Sequence, residues 1–189
     1  KVQDNGPGIP MKALENVFGK LLYGSRFHVI RQSRGQQGIG ITGVVMYGQL
    51  TTGKPSRVIS KIATEETAVQ VNIGIDTQKN KALKTKQERI TWCGDAGEQI
   101  EHGVQISTKM KAKYQRGKQS VYQYLRMTSI VNPHAEIFFT DPDDDTIHFP
   151  RVTEKLPRIV DAIKPHPSGM HLGQLQRMLK SSNERKLTS

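Results

Sequence analysis

The sequence predicts an α+β fold, a two-layer sandwich in which helices cover one face of a mixed, largely antiparallel sheet. Three observations predict it. Apolar residues recur at helical spacing over 10–18 and again after a glycine-rich turn at 35–43. Short runs rich in β-branched residues follow between 57 and 93. The stretch from Val104 to Tyr114 alternates with period two.

Taken in order, Lys1, Val2 and Gln3 read as the end of a strand that runs into Asp4, where "DNGPGIP" begins. A chain that opens on Lys1 in mid-strand leads us to expect sequence missing before it. Pro10 suits a first helical turn, and Met11, Leu14, Val17 and Phe18 continue it, so a helix is expected over 10–18. From Gly19 to Gly40 the chain is polar, basic and glycine-rich, too long for an ordinary connection, and reads as a functional loop or lid. It ends in "GIGITGVVMYGQL", whose Ile39, Ile41, Val44, Val45 and Met46 predict a helix buried on most of its circumference.

Strands are then expected at "RVISKIA", "AVQVNIGI" and "RITWC", with a lysine-rich hairpin or loop across "DTQKNKALKTKQ". In the run from 104 to 114, Val104, Ile106, Thr108, Met110, Ala112 and Tyr114 point one way, and Gln105, Ser107, Lys109, Lys111 and Lys113 the other. This predicts a long strand with a core face and a lysine stripe. The stripe fits DNA contact through Lys109, Lys111 and Lys113, by neutralising phosphates; it equally fits a strand edge protected against aggregation. A helix capped by Ser120 carries Val121, Tyr124, Leu125 and Thr128 on one face. A hairpin follows, "AEIFFT" and "TIHFP", turning through Asp141–Asp145; the acidic cluster lacks the glycine and closing glutamate of a calcium loop and reads as a solvated turn. Finally Leu172, Leu175, Met178 and Leu179 form the apolar face of a helix with no following helix to cover it, as if another domain were cut short.

Composition bounds the rest. A chain of 189 residues, 35% hydrophobic, accommodates one globular domain and part of another. A net charge of +11 favours an anionic partner, although a basic surface also serves solvation alone. The single cysteine, Cys93, excludes an intrachain disulfide and a thiolate metal site, and suits a reducing cytoplasm. None of the six histidines shows metal-site spacing, and no metal site made wholly by this chain is expected. No apolar run approaches the roughly 20 residues of a membrane span, so no membrane partner is expected.

Two glycine motifs carry the chemistry. Singly, "DNGPGIP" and "RGQQGIGITG" read as ordinary turns. Together, separated by a short helix and a polar lid, they form a specific pair. The first offers the Asp4 carboxylate as acceptor for the exocyclic amino group of adenine, with glycines letting the base lie against backbone. The second offers amides at a helix N-terminus, where phosphate is favoured.

These motifs resemble the second and third motifs of the Bergerat ATP-binding fold, found in gyrase, heat-shock chaperones, histidine kinases and mismatch-repair ATPases. "VFGKLLYGSRF", "QSRGQQGIG", "YGQLTTGKP", "KQSVYQYLRMTSIVNPHAEI" and "LPRIVDAIKPHPSGMHLGQLQRMLK" resemble, more narrowly, the B subunits of archaeal DNA topoisomerase VI. The resemblance runs over nearly the whole chain. It implies a partial ATPase domain over 1–163 and the start of a helix-two-turns-helix domain over 164–189. Asp4 would recognise adenine, with Gly6 and Gly8 shaping its loop. Ser25 and Arg26 fall at a lid pair, an arginine standing where the family has lysine. Gly35, Gln36, Gln37, Gly38, Ile39, Gly40, Ile41 and Thr42 match the phosphate-holding turn.

The resemblance further implies ATP with Mg2+, a cytoplasmic A2B2 assembly of a B-subunit dimer with A subunits, and double-stranded DNA as the object passed through an ATP-driven gate. The family's general base and magnesium-ligating asparagine match nothing in this sequence and are expected upstream of Lys1; its transducer lysine is also unmatched. No catalytic residue is therefore assigned, and the chain alone is expected to show negligible ATPase. Where the family commonly has Gly-Thr, Gly103 is followed by Val104, removing a hydroxyl from the pocket. Two other readings stay open. One is a different Bergerat ATPase, a chaperone or repair clamp, against which the "KPHPSG" tail argues. The other is a DNA-binding or scaffold descendant without catalysis, which Val104 and the unmatched first motif favour.

Overall fold

The structure, a computed structural model, describes residues 1–24, 37–94, 97–161 and 170–181. Its first half builds a five-stranded sheet from β1 (Val2–Asp4), β2 (Ser56–Lys61), β3 (Ala68–Asp76), β4 (Lys81–Ile90) and β5 (Gly103–Ser107), in the order β1-β5-β2-β3-β4. Two helices, α1 (Met11–Gly19) and α2 (Gly40–Thr52), lie between β1 and β2 in the chain. Every strand pairing is antiparallel, so the mixed sheet expected from sequence is, among the described residues, a purely antiparallel one.

Alternation along the strands sets the two faces. On one face Val58 of β2 and Val69, Val71, Ile73 and Ile75 of β3 are buried against Leu14 and Phe18 of α1 and Val45 of α2. Leu14 and Phe18, four apart, share one side of α1. On the other face Ile59 and Ala68 pack with Trp92 in a smaller cluster. Three glycines permit close approach: a Cβ on Gly19 would strike Ala82, one on Gly48 would strike Thr108, and one on Gly74 would strike the Gln49 amide. That amide clasps β3, accepting from Ile75 N–H at 2.7 Å and donating to Ile75 C=O at 3.1 Å.

Several expectations are corrected. Helix α2 is not buried on most of its circumference: Thr42, Val45 and Gly48 are buried, but Val44, Tyr47 and Leu50 are exposed. A single sheet beneath it can cover only one side. The lysine-rich stretch expected as hairpin or loop is mostly strand β4, and the strand expected at "RITWC" ends at Ile90. A bulge beside Asn72 and Ile73 lets β4 carry one extra residue. The long strand expected over 104–114 pairs only as far as Ser107, because its neighbours β1 and β2 end there in register. Lys109, Lys111 and Lys113 are exposed but lie outside any strand. That segment is tied instead to α2: Thr52 Oγ1 donates to Lys109 C=O at 3.3 Å and Tyr47 Oη to Lys111 C=O at 3.0 Å.

Helix α3 (Val121–Val131) begins as expected, with Ser120 Oγ accepting from Gln123 N–H at 3.1 Å. None of its residues is buried, so the face of Val121, Tyr124, Leu125 and Thr128 covers no core. Strands β6 (Ile137–Thr140) and β7 (Thr146–Phe149) form the expected hairpin, a two-stranded sheet separate from the main one. At its turn Asp141 is buried rather than solvated: Oδ1 accepts from Asp143 and Asp145 N–H, and the Arg116 guanidinium lies 3.4 Å from Oδ2. Helix α4 (Leu172–Ser181) falls where a terminal helix was expected. The domain boundary drawn at 163/164 lies outside the described residues.

Candidate functional site

β1 is short, and its register against β5 places Val2 opposite Ile106 and Asp4 opposite Val104. Directly opposed residues of an antiparallel pair share a face. Because Val104 and Ile106 pack against the core beneath the helices, the Asp4 side chain emerges on that same face. Its Oδ1 accepts from Gly6 N–H at 2.8 Å and from Val104 N–H at 3.2 Å. One carboxylate oxygen is therefore fixed by two backbone amides, while the residue as a whole stays exposed.

The loop after Asp4 is bound at several points. Gly8 has φ of 75°, and a Cβ there would run into the Lys61 carbonyl, so the position demands glycine twice over. Ser60 Oγ accepts from Ile9 N–H at 2.7 Å and donates to Ile9 C=O at 2.9 Å. His102 Nδ1 donates to Gly6 C=O at 2.8 Å. Neither Ser60 nor His102 was singled out from sequence. The only signals were a serine inside a β-branched run and a histidine directly before Gly103.

The second motif forms the start of α2. Gly38 has φ of 64° and its carbonyl accepts from Leu22 N–H at 3.1 Å; a Cβ would enter the Tyr23 backbone. The helix has no side-chain cap and no acidic residue in its first turn. Gly43 N–H closes the first intrahelical bond onto Ile39 C=O, which leaves the amides of Gly40, Ile41 and Thr42 as the orphan donors of the N-terminus. Thr42 is fully buried and its hydroxyl donates back to the Gly38 and Ile39 carbonyls, at 3.3 and 3.2 Å. Ile41 packs on the core. Of these three residues Thr42 has no exposed surface, whereas Gly40 is exposed and Ile41 half-buried. Gln37 and Ile39 are exposed, whereas Ser25, Arg26, Gly35 and Gln36 lie outside the described residues.

Asp4, its loop and the start of α2 thus surround one core on one face. Among the described residues, this face offers a fixed carboxylate acceptor and a helix N-terminus whose first turn meets no capping side chain. A separate concavity of about 460 Å3, lined by Gln3, Arg57, Ile59, Trp92 and Gln105 among others, opens on the opposite face. Gln3 and Gln105 alternate with Asp4 and Val104, so the sheet itself divides the two. Among the described residues no cluster of three His, Cys, Asp or Glu side chains suits a metal ion, and no helix is long and apolar enough to cross a membrane.

No family model matches the chain. Curated proteins do. The chain is 51% identical over 182 residues, 96% of its length, to a protein of Archaeoglobus fulgidus named as the B subunit of type 2 DNA topoisomerase 6. Proteins of the same name from Methanococcoides burtonii and Thermococcus gammatolerans are 46% and 43% identical over 187 and 184 residues. The chain spans 29% to 31% of the length of these relatives.

Proposed function

The chain belongs to the family of archaeal type 2 DNA topoisomerase 6 B subunits, and from this we propose that its helix-covered sheet face is a Bergerat-type ATP site that drives closure of a DNA gate. The observation that carries the reading is the Asp4 carboxylate, held by two backbone amides on the face that also holds the N-terminus of α2, which has no side-chain cap among the described residues. Asp4 accepts the adenine amino group, with Gly6 and Gly8 shaping the loop. Gly35 to Thr42 hold the phosphates through their amides, and Ser25 and Arg26 close over the nucleotide from the lid.

Magnesium would be held by the nucleotide's phosphates and would offset their charge; among the described residues no group of three His, Cys, Asp or Glu side chains comes together to hold it. None of these site residues is assigned as a general base, and the role they support is binding of ATP. Binding drives association of two B subunits, which act with A subunits in an A2B2 cytoplasmic enzyme on double-stranded DNA. Lys109, Lys111 and Lys113 contact that DNA, and α4 opens a helix-two-turns-helix unit.

Binding is the direct test. A fluorescent, non-hydrolysable ATP analogue with magnesium should bind the chain, and Asp4→Asn should weaken it by about tenfold or more, since the amide presents a donor where adenine also donates. Equal affinity in the two proteins would sink the assignment. DNA binding by both, indifferent to the analogue, would favour a scaffold role instead.

A further inference from the structure

We infer that His102 is a positioning residue for the adenine-reading carboxylate, acting through Gly6. The inference rests on the nucleotide reading above. Gly6 sits between two side chains: its N–H donates to Asp4 Oδ1 at 2.8 Å, and its C=O accepts from His102 Nδ1 at 2.8 Å. A bond from Nδ1 to a carbonyl requires the proton on Nδ1. The imidazole therefore fixes the plane of the peptide group that follows Gly6, and with it the residue whose amide aims Asp4.

The two residues after His102 complete the hold. Gly103 has φ of 140°, and a Cβ there would collide with the Asp4 carbonyl, so its bare α-carbon lets β5 approach β1. Val104 N–H donates the second bond to Asp4 Oδ1, at 3.2 Å. His102, Gly103 and Val104 thus grip the Asp4 loop by side chain, by absence of side chain and by backbone. The segment is itself anchored, because the buried Lys61 ammonium donates to Ile100 C=O at 3.0 Å, two residues before His102.

An amide of the right reach can replace the imidazole. The Nδ2 of asparagine falls near the place of Nδ1, whereas the amide of glutamine extends toward the place of Nε2. With the ATP analogue as probe, His102→Ala should weaken binding about tenfold, His102→Asn should stay within about twofold of the unaltered chain, and His102→Gln should behave like alanine. Thermal melts of the Asn and Gln variants should agree, which separates aiming from folding. In the unaltered chain the 15N shifts of His102 should report the proton on Nδ1. Unchanged affinity in all three variants, asparagine no better than glutamine, or a proton on Nε2 would each overturn the inference. An unaltered chain that binds no analogue, or binds it equally after Asp4→Asn, would overturn the nucleotide reading and this inference together. Affinity lost with Asp4→Asn but untouched by His102→Ala would overturn this inference alone.

Discussion

Val104 lies in register with Asp4 on the same face, and its backbone amide already holds the Asp4 carboxylate. A hydroxyl in place of one Val104 methyl would stand beside that carboxylate, the proposed acceptor for adenine. Val104→Thr should therefore raise affinity for the ATP analogue by about 1 kcal/mol, close to a fivefold change, the worth of one hydrogen bond. Titration of the two proteins side by side checks it; equal or weaker binding would mean that the hydroxyl finds no partner there. Sequence made this position legible because Gly103 and Val104 stand where a motif places them. His102 and Ser60 escaped notice because their contacts join residues 96 and 51 positions apart, and no local period marks such a bond. The glycines of the loop were legible as turn residues. Why Gly8 is needed was not, since the Lys61 carbonyl that crowds it comes from β2.

The apolar residues of helix α2 run all round, so sequence alone suggests deep burial. The structure covers only the side of Thr42, Val45 and Gly48, because one sheet supplies one wall. At the covered side Gly48 faces Thr108, whose hydroxyl lies 2.8 Å from Ser56 Oγ within hydrogen-bonding reach. Two effects oppose one another in Gly48→Ala. Helix propensity favours alanine by about 1 kcal/mol, while the new methyl must displace Thr108 and press on the Lys109 carbonyl, an overpacking cost of roughly 1–3 kcal/mol. Thr108 cannot turn aside without breaking its bond to Ser56, so the cost wins. Net destabilisation of about 1 kcal/mol is expected in urea melts, and a more stable variant would show that the 108–109 segment yields freely. The same contact explains why the period-two pattern outruns β5. Beyond Ser107 the backbone leaves its strand partners and bonds to Thr51, Thr52 and Tyr47 of α2 instead. Alternation reports extended backbone, and says nothing of what that backbone pairs with.

Across the whole molecule the net charge of +11 needs a location before it implies a partner. Much of the basic character of β4 is spent locally: Lys84 pairs with Glu15 at 2.7 Å, Lys86 with Glu88 at 2.8 Å and Arg89 with Glu65 at 3.1 Å. Lys109, Lys111 and Lys113 are different. They are exposed, as are Met110 and Ala112 between them, so the core face expected there is absent, and their segment is bonded to α2 through its backbone. Protection of a sheet edge is not their role, because β5 ends at Ser107 and no edge runs there, and contact with phosphates is the reading left. Each phosphate neutralised on duplex DNA contributes about 0.9 to the slope of log affinity against log salt concentration. Replacing the three lysines together by glutamine should therefore lower the slope by about 3, with little dependence on DNA sequence, since phosphate contacts carry no base readout. Affinity for the ATP analogue should be unchanged, because the lysines lie outside the site built from Asp4 and α2. A slope that does not move would place the DNA path elsewhere on the protein and leave the lysines as solubilising charge.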